Sequence, residues 1–186
     1  PNMEIYARRD RVAAEQVGSP RTIREEDFVD FYNENLLDPF TRNGPLGAQP
    51  IPNAANIRFG DNIRLVGHDV ASQEVARGGE VELRLYWRAD APIPDNFFVS
   101  VQAINLQTTG KAGQRDGEPG CNRFPTSTWV AGDTIFDRYF VPIAEDVEPG
   151  EYTLLVKMYN DAGTLPVTDG NGAVSDGAIL TTITVR

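Results

Sequence analysis

From Asn56 to the C-terminus, apolar and polar residues alternate with a period of two. Val81, Leu83, Leu85 and Trp87 alternate with Glu82, Arg84, Tyr86 and Arg88, the cleanest strand signature in the chain. Ile63, Leu65 and Gly67 form a similar inward set, with Arg64, Val66 and His68 turned the other way. Phe97, Val99, Val101 and Ala103 form a third set, and Tyr152, Leu154, Val156 and Met158 a fourth. Ile179, Thr181, Ile183 and Val185 close the chain. Ile135 to Val141 is apolar at both parities, which predicts a central strand covered on both sides. Turn signals separate these runs at Arg77-Gly78-Gly79, Pro92-Ile93-Pro94-Asp95, Glu148-Pro149-Gly150 and Asp169-Gly170-Asn171-Gly172. Short alternating strands with no helix between them predict a mainly β fold. The expected architecture is an antiparallel β-sandwich, immunoglobulin-like or jelly-roll, over residues 54–186.

Residues 1–53 follow another rule. Arg9 to Val17 has helical character and is ended by Gly18-Ser19-Pro20. Thr22-Ile23-Arg24-Glu25 has the form of a capping box, in which side chains satisfy the free amides of a first turn. Phe28, Phe31, Tyr32 and Leu36 then fall at helical spacing, and Asp38-Pro39 stops the run. Four prolines and two glycines between Pro39 and Asn53 make the remainder a linker or strap. The expected organisation is an N-terminal helical segment with a linker, 1–53, followed by the sandwich, 54–186.

Composition narrows the function classes. The 186 residues carry a net charge of −10, and acidic groups outnumber basic ones both before and after residue 55. Such a field opposes binding to nucleic acid and to an anionic membrane surface. Arginines number 15 and lysines 2, a bias that fits a GC-rich genome. No stretch is long and apolar enough to span a bilayer, so a membrane link is expected only through a part outside this chain. The chain begins at Pro1 without Met, as a processed product or a fragment would. Cys121 is the single cysteine and His68 the single histidine. A cysteine nucleophile needs a base and a zinc site needs several ligands, so neither residue makes a site alone.

The richest segment is Gly113 to Trp129, where Arg115-Asp116-Gly117 sits in an expected loop ahead of Phe124-Pro125-Thr126-Ser127-Thr128-Trp129. Arg115, Asp116, Arg123, Trp129 and Tyr86 are the candidate ligand-binding residues. Arg115, Asp116 and Arg123, with Asp137 and Arg138, form an expected ion-pair network that pins the loop, since arginine holds carboxylates in a two-pronged fork. The order Arg-Asp-Gly is not the Arg-Gly-Asp adhesion tripeptide. Asp116 and Glu118 supply the two carboxylates a glycoside hydrolase would need. Trp129, Phe124, Tyr86 and Phe98 are candidates for a sugar-stacking platform, with Tyr86 and Phe98 on the outward parity of their strands. Asp169, Asn171 and Asp176 match part of a calcium-loop pattern, but the closing bidentate Glu is missing, and turn chemistry accounts for Asp-Gly and Asn-Gly equally. No phosphate-cradling loop or dinucleotide fingerprint occurs, and no cofactor is expected.

Several motifs carry a family resemblance. They are Phe59-Gly60-Asp61-Asn62-Ile63-Arg64-Leu65-Val66-Gly67, Leu83-Arg84-Leu85-Tyr86-Trp87-Arg88-Ala89 and Gln114-Arg115-Asp116-Gly117. Pro125-Thr126-Ser127-Thr128-Trp129, Pro149-Gly150-Glu151-Tyr152 and Leu165-Pro166-Val167-Thr168-Asp169 complete the set. In these motifs residues 56–186 resemble the extracytoplasmic β-sandwich at the C-terminus of bacterial membrane glycosyltransferases of the dolichyl-phosphate-mannose mannosyltransferase type, common in the Chloroflexus group. In that family the catalytic acids lie in the membrane-embedded part, so the resemblance implies a non-catalytic accessory or interaction domain in the cell envelope. A glycan or an envelope protein is the expected partner. A secreted carbohydrate-binding module and a hydrolase using loop carboxylates are the alternatives.

Overall fold

The computed structural model describes residues 51–122 and 124–186, and for Cys121 the backbone alone. By its contacts the chain divides into two units, Pro1–Pro39 and Phe40–Arg186, and the described residues belong to the second. The helices expected before residue 50 and the role expected of Arg123 lie outside the described residues.

Among the described residues twelve strands follow one another. The first six are β1 (Ala54–Phe59), β2 (Ile63–Val70), β3 (Glu74–Val75), β4 (Glu80–Ala89), β5 (Phe98–Ile104) and β6 (Lys111–Gly117). A short helix, α1 (Pro119–Asn122), and a single 3-10 turn (Thr126–Thr128) come next. The chain continues as β7 (Thr134–Pro142), β8 (Gly150–Asn160), β9 (Gly163–Thr164), β10 (Val167–Thr168), β11 (Val174–Ser175) and β12 (Ala178–Val185). The first sheet has the order β11-β10-β1-β2-β4-β7, and the second β3-β12-β8-β5-β6 with β9 paired to β8. Every pairing between these strands is antiparallel except that of β3 with β12. The chain is a mainly β, two-sheet sandwich, as its alternation predicts.

The core is the meeting of the inward sets. Val81, Leu83, Leu85 and Trp87 of β4 face Val99, Val101 and Ala103 of β5 and Leu154, Val156 and Met158 of β8, all buried. Trp87 packs edge-on against Phe59 with centroids 5.2 Å apart. Such an aromatic pair adds about 0.5–1.5 kcal/mol beyond the area it buries.

Two bulges shift the sequence pattern. Between Leu65 and Gly67 the β2–β4 register slips, so that Leu65 opposes Trp87 while His68 opposes Leu85. Directly opposed residues share a face, so His68 returns to the side of Leu65 instead of pointing away from it. In β12 a slip between Ile179 and Thr181 has the same effect. Ala178 takes the inward place and Ile179, expected inside, is 58% exposed.

Two other expectations change. Lys111 to Gly117 is a strand, β6, not a loop. The run from Ile135 to Val141 lies in β7, the edge of its sheet and not its centre. Its double apolar parity has another cause: Ile135, Tyr139 and Val141 belong to the core, while Phe136 opposes Tyr86 across the outer face.

The edges of the two sheets meet at β6 and β7. Gly113 bridges to Ile143, and the Ala144 amide donates to the Ala112 carbonyl at 2.9 Å. A Cβ on Gly113 would lie 2.0 Å from the Pro142 carbonyl oxygen, so only glycine permits this approach.

Candidate functional site

The segment from Gly117 to Trp129 is held by Asp137, which belongs to the expected network but acts on backbone and indole N–H groups, and by Thr126. Asp137 sits on the inward parity of β7, opposite Leu85, and is fully buried (0% exposed). Its Oδ1 accepts from the Gly120 amide at 2.9 Å, and its Oδ2 from Trp87 Nε1 at 3.3 Å. The Tyr139 hydroxyl and the Arg138 amide also bond this carboxylate. Burial pushes the Asp137 carboxyl up to about 6, against the opposing pull of these hydrogen bonds. Gly120 has a φ of 64°, a left-handed conformation that places its N–H on the carboxylate. Further along, buried Thr126 is the second anchor. Its Oγ1 donates to the Asp95 carbonyl at 2.7 Å and accepts from the Phe97 amide at 3.1 Å.

The expected arginine network does not do this work among the described residues. Arg115 is exposed on β6, and Asp116, also exposed, accepts from Gln114 Nε2 at 2.7 Å. Arg138 instead lies 3.6 Å from Glu82 on the outer face of the first sheet, with its guanidinium over the Phe140 ring. There Arg84 bridges Asp69 at 3.1 Å and Glu82 at 2.9 Å.

The aromatic candidates separate. Trp129 is 4% exposed, tilted against Trp87 at 6.4 Å, and donates from Nε1 to the Phe124 carbonyl at 3.1 Å. It is a core residue that closes one end of the sandwich. Tyr86 points outward as expected but is 8% exposed, edge-on to Phe136 at 5.4 Å. Burial, then the nearby Asp69 charge, raises its phenol. Phe98 is the member of the set that presents its ring, at 41% exposure, stacked on Tyr159 with centroids 5.8 Å apart.

Phe98 and Tyr159 end a polar row on the outer face of the second sheet. On this face Ser100 of β5 opposes Asp116 of β6 and Lys157 of β8, and Gln102 opposes Gln114 and Leu155. Gln102 Nε2 donates to Ser100 Oγ at 3.1 Å, and Gln114 Nε2 approaches the same oxygen at 3.4 Å. Lys111 Nζ donates to Gln114 Oε1. Burial raises the Tyr159 phenol, and so do the charge of Asp116 and a hydrogen bond to it. This row went unread in the sequence. Its signal was there, in the polar residues at outward parity on β5 and β6.

The Asp169 segment is a turn. Asp169 Oδ1 accepts from the amides of Asn171 at 2.8 Å and Ala173 at 2.9 Å. These bonds engage the carboxylate with its own backbone. Asp176 is exposed, and among the described residues no three His, Cys, Asp or Glu side chains converge. His68 is half-buried, and burial lowers its imidazole despite the charge of Asp69. Its Nδ1 has no hydrogen-bond partner.

No family model and no curated protein matches the chain. Among solved structures, the C-terminal domain of wzt is similar at 12% identity over 73% of this chain and 81% of its own, with a TM-score of 0.43. A Niemann-Pick type C2 protein from the Japanese carpenter ant is similar at 7% identity over 79% and 98%, with a TM-score of 0.40. The alkylpurine DNA glycosylase AlkC of Pseudomonas fluorescens is similar at 13% identity over 71% of this chain and 31% of its own, with a TM-score of 0.37.

Proposed function

We propose that the chain is a non-catalytic accessory domain of a cell-envelope protein, displayed outside the cytoplasmic membrane, whose part is to bind. The observation that carries this reading is the outer face of the second sheet. There Ser100, Gln102, Gln114 and Asp116 are laid along two strands and hydrogen-bonded among themselves. A row of that form suits many weak contacts with an extended partner. Catalysis instead needs groups that converge on one reacting atom. Asp137, the carboxyl most shifted by its surroundings among the described residues, is enclosed by core and holds backbone. The motif resemblance supports a membrane glycosyltransferase as the parent protein.

The reading frame that encodes this chain tests the proposal. Several apolar spans of about 20 residues each are expected ahead of Pro1. A signal peptide joined directly to this chain would overturn the membrane-enzyme part.

A further inference from the structure

We infer that the outer face of the second sheet is a glycan platform, which takes an uncharged, hydroxyl-rich saccharide chain across β6, β5 and β8 with one ring against Phe98. This rests on the binding face proposed above and gives it a ligand class.

The chemistry of the row selects the ligand. Gln102 donates through one N–H of Nε2 to Ser100, which leaves its second N–H and its Oε1 for a partner. Lys157, opposite Ser100, adds donors, and Asp116 adds acceptors. A sugar hydroxyl both donates and accepts, so it is matched by amides and hydroxyls that do the same. Phe98 offers an exposed ring to the apolar C–H face of a pyranose. Its stacking on Tyr159, whose hydroxyl is tied to Asp116, fixes the ring before any ligand arrives.

Charge argues for a neutral chain. The protein carries −10 overall, yet its two lysines, Lys111 and Lys157, both lie on this face beside Asp116. Glu151, at the parity of Lys157 on β8, is the second carboxylate on this face, so two cations and two anions offset one another, which suits neither a polyanion nor a polycation. The outer face of the first sheet is different: its polar groups Asp69, Arg84, Glu82 and Arg138 are charged and form ion pairs. Spacing is adequate as well. Three neighbouring strands at about 4.8 Å separation span about 10 Å, room for a short oligosaccharide.

The test uses the 186-residue chain in affinity electrophoresis and calorimetry. The probes are soluble neutral polymers (mannan, galactan, glucan and arabinan) and one uronate polymer. At least one neutral polymer is expected to bind the wild type. Phe98→Ala and Gln102→Ala are each expected to weaken that binding about fivefold to tenfold. Phe140→Ala, at an exposed ring on the other sheet, should leave it unchanged, with circular dichroism confirming that all variants are folded. The platform is overturned if the folded wild type binds no neutral polymer, if it prefers the uronate, or if both row variants bind normally. An equal loss in Phe140→Ala would overturn it too. Failure here with membrane spans found upstream of Pro1 would remove the glycan and leave the accessory reading standing.

Discussion

Asp137 gives the sharpest test of the physics. Its carboxyl rises from an ordinary 3.8 to about 6 because burial outweighs the hydrogen bonds that favour its charge. Below pH 3.8 both the folded and the unfolded chain hold this proton. Between 3.8 and about 6 the folded chain holds it and the unfolded chain releases it, so stability falls as pH rises. The difference of about 2.2 units corresponds to ~3 kcal/mol of stability lost above pH 6. Asp137→Asn keeps the shape and removes the titration. It also turns an amide N–H₂ toward a donor, either the Gly120 N–H or the Trp87 indole, at a cost of about 1–3 kcal/mol. The two effects nearly offset at pH 7, so the variant should match the wild type there and be less stable at pH 4. Urea unfolding of both proteins at pH 4, 5, 6 and 7 reads this directly. The wild type should lose about 2 kcal/mol relative to the variant across that range, because at pH 4 the unfolded chain has already released part of this proton. Parallel curves would refute the reasoning. A wild type that gains on the variant would show that the hydrogen bonds outweigh burial.

Other perturbations test other joints of the fold. Gly113→Ala drives a Cβ against the Pro142 carbonyl and should cost about 1–3 kcal/mol or more in urea unfolding, because two backbones must part. Trp129→Ala removes a buried indole and its bond to the Phe124 carbonyl, with an expected loss of about 3–5 kcal/mol in the same assay. Arg84→Ala breaks two partly exposed ion pairs and should cost no more than about 1 kcal/mol, less in high salt, by thermal melts at two ionic strengths. His68 has a lowered imidazole, so the unfolded chain takes the proton first and stability falls as pH drops below 6.5. His68→Leu should flatten that slope, opposite in sign to that of Asp137, in melts from pH 7.5 to 5.

The sandwich was legible because three inward sets, Val81 to Trp87, Phe97 to Ala103 and Tyr152 to Met158, obey a period of two without interruption. Val81 to Trp87 and Tyr152 to Met158 run through uninterrupted registers, and each residue faces the way its parity dictates. The pattern misleads where a bulge inserts one residue. At β2 the slip before Gly67 changes the side of His68, and at β12 the slip after Ile179 changes that of Ile179. Composition does not mark a bulge when both flanking residues are apolar, as Ile179 and Leu180 are. The sequence of β7 does not separate edge from centre, because burial on both faces gives the same pattern whatever covers the second face.

The site was less legible, and for a reason that bears on how such faces are found. Charged and aromatic residues in a Gly-rich segment draw notice, and Arg115, Asp116 and Trp129 stood out on that ground. Trp129 serves the core, and the segment's anchors are Asp137, expected there as an ion-pair partner and found bonded to backbone, and Thr126. The polar row consists of Ser100, Gln102 and Gln114, residue types common on any strand. Only the pairing of β5 with β6 puts their side chains on one face and within reach of one another. Single-strand parity would have given the direction of each residue. Register was needed to bring them together, and register depends on a bulge between Ala103 and Ile104 that the sequence does not announce. A polar row of this form is therefore a property of strand pairing, where a catalytic triad or a metal loop is a property of residue type.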